Sequence, residues 1–291
     1  MRILVVTSQF PVAGEPNRGR PIHQTVRALS RLADVRVVSP IATYPAWAQP
    51  RSYLFRSAAP QAVDGCDVEY VTYPALPLLS RPFNGALCGR AIGRSMARYA
   101  PDVVLSYWLY PDAYGAMRAA ERLGIPWVAG ARGSDIRVRD ALSRRLTRRV
   151  VERAGQLLVV SDDLRRMAIA DYGADPERTH TIANGCNAAL FHPADRGDAR
   201  RRLGIADDAR LVLYVGRLVP EKGLRELLDA CAAMASTHPR LRLALVGDGP
   251  MRAELEQRAR SAAIPVVLPG AQDAAGVAAW MAAADVVTLP S

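Results

Sequence analysis

The sequence predicts an α/β protein built from two doubly wound parallel-sheet domains. Three observations carry that expectation. Short apolar, β-branched runs alternate with longer amphipathic stretches from one end of the chain to the other. The short runs are apolar on both faces, as strands of a parallel sheet covered by helices must be. The alternation breaks once, in a turn-rich segment within 185–200, and then resumes. A chain of 291 residues, half of them hydrophobic, can bury two medium-sized cores.

Taken in order, 3–6, 35–39, 68–72, 103–106, 127–129, 157–160 and 180–182 read as strands. Between them, 22–32, 86–99, 113–123 and 143–154 show helical spacing of apolar residues. Asn184-Gly185-Cys186-Asn187 is turn chemistry, and His192-Pro193 and a polar, charged stretch over 195–202 follow. The second series has strands at 211–215, 241–246, 266–268 and 286–289, with helices at 223–236, 251–262 and 274–284. These runs divide the chain into domains at 1–190 and 191–291. The second, with four strands and about three helices, reads as truncated, because a helix or loop normally follows such a last strand. Two doubly wound domains are expected to face a cleft, with ligands at the carboxyl edges of their sheets.

Composition narrows the function classes. No apolar run approaches the roughly 18 residues of a spanning helix, and the N-terminal apolar run 3–6 is too short for a signal peptide. A cytoplasmic protein is expected. Cys66, Cys88, Cys186 and Cys231 show no CxxC spacing, and His23, His180, His192 and His238 are scattered, so neither a disulfide framework nor a metal site is predicted. The formal charge of +10 is uneven: residues 1–193 carry +9 and residues 194–291 carry +1. Arg90, Arg94 and Arg98 fall at i, i+4 and i+8 of one helix, and Arg144, Arg145, Arg148, Arg149 and Arg153 share a face of another. Such faces suit the anionic inner surface of a membrane, and equally suit plain solvation. No helix-turn-helix, RNP-type strand or zinc finger is present, so nucleic acid is not an expected partner.

The segment Tyr214-Val215-Gly216-Arg217-Leu218-Val219-Pro220-Glu221-Lys222-Gly223 holds the most chemistry. A strand delivers Gly216 and Arg217 to its carboxyl end, and Lys222, the one lysine of the chain, sits one loop later at the start of a helix. Glycine allows close backbone approach, and two cations beside a helix N-terminus suit a diphosphate. The same spacing also fits two solvated surface charges on an ordinary strand–loop–helix connection. Leu245-Val246-Gly247-Asp248-Gly249-Pro250 is a tight βα turn that is neither a GxGxxG fingerprint nor a P-loop.

The succession Val-Gly-Arg-Leu-x-x-x-Lys-Gly, Val-Gly-Asp-Gly-Pro, Leu-Pro-Gly and Ala-Asp-Val-Val-Thr-Leu-Pro-Ser resembles the donor-binding domain of retaining glycosyltransferases of family 4, which have the GT-B fold. Upstream, Ile182-Ala183-Asn184-Gly185-Cys186-Asn187 with Phe191 and Pro193 resembles the segment joining that family's two domains. The resemblance covers essentially the whole chain and is strongest from Thr181 onward. It implies transfer of a hexose, with retention, from a nucleotide-sugar such as a UDP- or GDP-sugar to a glycan or lipid-linked acceptor, without metal or cofactor. Arg217 and Lys222 would bind the donor diphosphate, and Gly216, Gly249 and the Gly270 region would border the nucleotide. In the first domain, the loop 11–19, with Gly14, Gly19, Arg18 and Arg20, would approach donor phosphate and acceptor.

Arg132-Gly133-Ser134-Asp135 stands where family members carry His-Gly-x-Asp at the donor sugar. Arg132 and Asp135 are therefore the candidate catalytic residues, although an arginine cannot act as a base, and Arg132 could instead be a buried cation paired to Asp135. The family's E-x7-E motif would begin just after Pro290-Ser291. A chain lacking it is expected to transfer weakly, as a binding module or fragment. A sugar-nucleotide epimerase of the same fold is the other alternative. Which sugar, base and acceptor are used would depend on first-domain loops such as 42–60 and 73–82.

Overall fold

A computed structural model describes residues 1–12, 18–49, 63, 65–77, 79–138 and 140–290. The chain forms two compact units, Met1–Gly185 and Cys186–Ser291.

The first unit is built on a seven-stranded, fully parallel sheet with the order β3-β2-β1-β4-β5-β6-β7. Its strands are β1 (Arg2–Val6), β2 (Asp34–Thr43), β3 (Asp67–Pro74), β4 (Val103–Tyr107), β5 (Trp127–Ala131), β6 (Gln156–Val159) and β7 (Thr179–Thr181). Its helices are α1 (Arg20–Leu29), α2 (Asn84–Tyr99), α3 (Tyr114–Leu123), α4 (Ala141–Arg153) and α5 (Asp162–Tyr172). The two-residue alternation of β1 sends its side chains to two different cores. Ile3 and Val5 pack with Ile22 and Val26 of α1. Leu4 and Val6 pack with Cys88, Ile92 and Met96 of α2, in a cluster that also holds residues of α3, α4 and α5. Helices therefore cover both faces, as the apolar runs require.

Local chemistry ends these helices. Asp140 and Ser161 cap α4 and α5 by accepting the N–H groups of Ser143 and Leu164. Gly124 and Gly173 close α3 and α5 in the left-handed conformation.

The second unit has a four-stranded parallel sheet, β10-β9-β8-β11, formed by β8 (Arg210–Val215), β9 (Leu241–Val246), β10 (Val266–Gly270) and β11 (Val286–Val287). Leu224, Leu228 and Cys231 of α7 (Leu224–Ala233) and Leu255 of α8 (Arg252–Arg260) pack with Leu241, Leu243 and Leu245 of β9. Trp280 and Ala283 of α9 (Ala274–Ala283) pack with Leu211 and Leu213 of β8, joined by Ala199 of α6 (Arg196–Leu203).

Helix α6 corrects the sequence reading, which left 195–202 as a polar stretch and gave this domain about three helices. Asp195 caps it by accepting the Asp198 N–H at 2.6 Å, and Gly204 ends it in the left-handed conformation. Helical spacing was invisible because one of its buried positions is an arginine. Arg200 is 4% exposed and donates to the Ala283 and Asp207 carbonyls and to Asp285 at 2.7 Å. Asp285 also accepts the Leu211 N–H at 2.7 Å and Arg196 at 2.7 Å.

Both sheets reverse their winding at one point. In the first, the chain moves outward from β1 to β2 and β3, then returns to the other side of β1 as β4. In the second, it moves from β8 to β9 and β10 and returns as β11. At such switch points neighbouring loops diverge and leave a crevice outside the carboxyl ends of the strands.

Candidate functional site

At the carboxyl edge of the second sheet, backbone hydrogen bonds join consecutive loops into one rim. Gly216 donates to the Val246 carbonyl at 2.9 Å and Leu218 to the Asp248 carbonyl at 2.9 Å. Met251 donates back to Leu218 at 3.1 Å, and Gly247 donates to Gly270 at 2.9 Å. These approaches are close enough to exclude side chains. A Cβ on Gly247 would overlap the Gly216 carbonyl oxygen, and one on Gly249 would overlap the Leu218 carbonyl. A Cβ on Gly216 would meet the Tyr214 hydroxyl, which donates to the Arg217 carbonyl at 2.9 Å. Gly216 and Gly249 thus serve first as packing points that draw the β8 and β9 loops together.

Arg217 leaves β8 exposed at this rim, and Lys222 follows, half-buried, in the short 3₁₀ turn Pro220–Lys222. Gly223 then caps α7 in the left-handed conformation and, as a glycine, offers no side chain to the N–H groups of the first turn. Ion pairs among the described residues engage neither Arg217 nor Lys222. The segment after β11 closes the rim: Thr288 donates to the Leu213 carbonyl at 2.8 Å, and Pro290 packs against Gly223. The two cations that the sequence singled out therefore sit on one loop, at the switch point of their sheet.

The carboxyl edge of the first sheet holds the other candidates. Gly19, with φ of 58°, caps α1 and lies so close to the Gln9 carbonyl that no Cβ fits. Gly14 and the rest of 13–17, with all of 50–60 and position 78 of the loops over 42–60 and 73–82, lie outside the described residues. Asp135 is 3% exposed. It accepts the backbone N–H groups of Arg132 and Gly133 at 2.9 Å each, and that of Leu109 at 3.4 Å. Burial pushes its carboxyl up, and the three N–H donors pull the other way.

Arg132 does not form the side-chain pair with Asp135 that the sequence left open. Its guanidinium lies over the Tyr107 ring, 5.3 Å from the centroid, and donates to Asn184 Oδ1. Asp135 meets only its backbone. The reason is local: Asp135 closes a tight turn onto the N–H groups just before it, and its oxygens are then occupied.

A third group escaped the sequence reading. Asp112, fully buried in the turn Leu109–Ala113, accepts the Ser8 N–H. Burial, the largest influence, pushes its carboxyl up to about 7, with Asp135 adding to the rise while the Ser8 hydrogen bond and Arg18 oppose it. A single carboxylate inside the apolar stretch 103–117 was the available signal. Among the described residues, no group of three or more His, Cys, Asp or Glu could hold a metal ion.

Helices α2 and α4 pack into the same core cluster and so lie on one face of the first sheet. Their outward arginines are exposed. Arg98 pairs with Glu69, Arg153 with Glu121, Arg148 donates to the Asp171 carbonyl, and Arg144 lies over Tyr172. Ion pairs among the described residues do not engage Arg90, Arg94, Arg145 or Arg149. No helix among the described residues is long and apolar enough to cross a membrane.

Comparison with known proteins agrees with this architecture. Residues 19–190 match the pattern of Glycosyltransferase Family 4, and residues 195–291 match Glycosyl transferases group 1. The chain is 28% identical, over its full length and 75% of the relative, to the putative teichuronic acid biosynthesis glycosyltransferase TuaC of Bacillus subtilis. Its fold is similar to sucrose-phosphate synthase of Thermosynechococcus elongatus, with a TM-score of 0.73 and 20% identity over 100% of this chain and 75% of that one. It is also similar to Anabaena HepE in complex with UDP and glucose, with a TM-score of 0.69 and 21% identity over 99% of this chain and 74% of that one.

Proposed function

The chain belongs to the glycosyltransferases, with a family 4 domain followed by a group 1 domain, and from that premise we propose that it moves a hexose, with retention, from a UDP- or GDP-sugar to a glycan or lipid-linked acceptor of cell-envelope assembly. One observation carries the reading. Arg217 and Lys222 share the loop after β8 at the switch point of the second sheet, beside the start of α7. Two cations and a helix N-terminus suit a pyrophosphate, and they also neutralise the charge that gathers on it as the sugar departs. The complexes of HepE with UDP and glucose support the donor class, and TuaC supports the acceptor class.

The loops of the first sheet take the acceptor side in this reading. Arg132, poised on Tyr107 and Asn184, offers a cation to phosphate or sugar hydroxyls. Asp135 acts by holding the Arg132–Gly133 backbone rather than by meeting substrate. The basic faces of α2 and α4, through Arg90, Arg94, Arg98, Arg144, Arg145, Arg148 and Arg149, seat the protein on the anionic inner face of the membrane.

Screening UDP- and GDP-sugars with the full-length protein, and analysing products for transfer, hydrolysis or epimerisation, tests the reaction. Titrating UDP against Arg217→Ala and Lys222→Ala tests the site. Removing either cation deletes a charge-assisted hydrogen bond to phosphate and should cost about 1.5–3 kcal/mol, or roughly 10–150-fold in Kd. Unaltered affinity in both variants, or an epimerised donor as product, would overturn the proposal.

A further inference from the structure

Asp112 is a fully buried carboxylate that the reaction scheme above does not use. Its Oδ2 accepts the Ser8 N–H at 2.5 Å, while its Oδ1 has no hydrogen-bond partner among the described residues. A carboxylate in that position is costly to the fold, because burial without full compensation disfavours it. What it holds is specific. The Ser8 peptide lies just past the end of β1, and from its other side the Ser8 carbonyl accepts Arg18 Nε at 2.9 Å. One residue on, the Gln9 carbonyl is the surface against which Gly19 packs.

Asp135 does the same for the neighbouring loops, binding Leu109 after β4 and Arg132 and Gly133 after β5. Two buried carboxylates thus tie together the three loops of one sheet edge. Ser8, Gln9, Arg18, Trp108 and Pro111 line a cavity of about 150 Å³ at the switch point between β1 and β4.

We propose that Asp112 is a positioning residue for sugar transfer: it clamps the Ser8 peptide and thereby sets the cavity wall that the acceptor meets. The proposal rests on the reading of this sheet edge as the acceptor side. The groups facing Asp112 are Arg18 from the β1–α1 loop, Asp135 from the β5–α4 loop and Cys88 from α2. When ionised, Asp112 holds Ser8 by a charge-assisted bond and attracts Arg18; when protonated, it is a weaker acceptor. With its titration near neutrality, the clamp tightens as pH rises through that range.

The test uses the full-length protein with the donor and acceptor found in the screen. Asp112→Asn keeps an acceptor oxygen without the charge. Its kcat/KM for acceptor should fall by about 5-fold at pH 8 and lose the acid limb near neutrality that the wild type shows. Asp112→Ala orphans the Ser8 N–H and also lacks the titrating group, so kcat/KM for acceptor should fall by about 30-fold at pH 8 and lose the same acid limb, while the Kd for UDP stays within about 2-fold. Amide exchange at Ser8 should be faster in Asp112→Ala than in Asp112→Asn.

Wild-type acceptor kinetics in Asp112→Ala, or a wild-type acid limb in Asp112→Asn, would overturn the proposal. Should Asp112→Ala fail to fold, the Asn profile decides. Should the wild type transfer to no acceptor, the functional reading falls, yet Ser8 exchange in the two variants still decides whether Asp112 holds the loop.

Discussion

Replacing Asp112 by Asn should change how the stability of the first unit depends on pH. Asp112 is fully buried, and its carboxyl is pushed from 3.8 up to about 7. Below pH 3.8 it is protonated in both folded and unfolded chains and makes no difference. As pH rises from about 4 to about 7 the unfolded chain releases this proton while the folded chain keeps it. Stability therefore falls through that window and levels off above it.

Each pH unit inside the window costs about 1.4 kcal/mol. Between about pH 5 and about pH 8 the wild type should lose on the order of 2.5 kcal/mol that Asp112→Asn does not lose. Asn adds a cost of its own, since its amide N–H₂ replaces the oxygen without a partner, but that cost does not vary with pH. The difference between the two proteins is thus the measured quantity, and the titration of groups common to both largely cancels. Thermal unfolding followed by near-UV circular dichroism, from pH 5 to pH 8, should show the Asn variant gaining about 5–10 °C on the wild type in the transition of the first unit. Parallel pH curves for the two proteins would refute the reasoning.

Other perturbations test the remaining structure. Gly247→Ala places a Cβ on the Gly216 carbonyl and should weaken UDP binding more than about 10-fold, with destabilisation of about 1–3 kcal/mol in urea. Arg200→Leu removes a side chain that is 5% exposed and bound to Asp285 at 2.7 Å, so it should cost about 3–5 kcal/mol in the second unit; a smaller loss would show that Arg196 and water can replace it. Replacing Arg90, Arg94, Arg145 and Arg149 by Gln should reduce binding to vesicles containing phosphatidylglycerol, by about 1 kcal/mol per arginine near the surface, without changing UDP affinity.

Much of the fold was legible in sequence because it depends on neighbours along the chain. The unbroken apolar run of β1 and the helical spacing over 86–99 report burial directly, and the structure has β1 and α2 there. The cations Arg217 and Lys222 were legible for the same reason, since a strand, a loop and a helix in succession place them. Helix α6 was not legible, because the arginine at its buried position broke the apolar spacing that marks a packed helix. The role of Asp135 was half legible: its place in Arg-Gly-x-Asp was plain, but its acceptance of the Leu109 N–H depends on the adjacency of β4 and β5.

The sequence alone therefore determined two parallel-sheet domains, a basic first half and a cationic loop at the start of a helix, since each follows from residue type and spacing within a few turns of chain. Only the tertiary structure decided that Asp112 holds a peptide 104 residues away, that Arg200 and Asp285 meet across 85 residues, and that Arg132 turns to Tyr107 and Asn184 instead of Asp135. Those pairings are created by strand order and register, which bring distant loops to one sheet edge. There burial, rather than sequence neighbourhood, sets which polar groups must find each other.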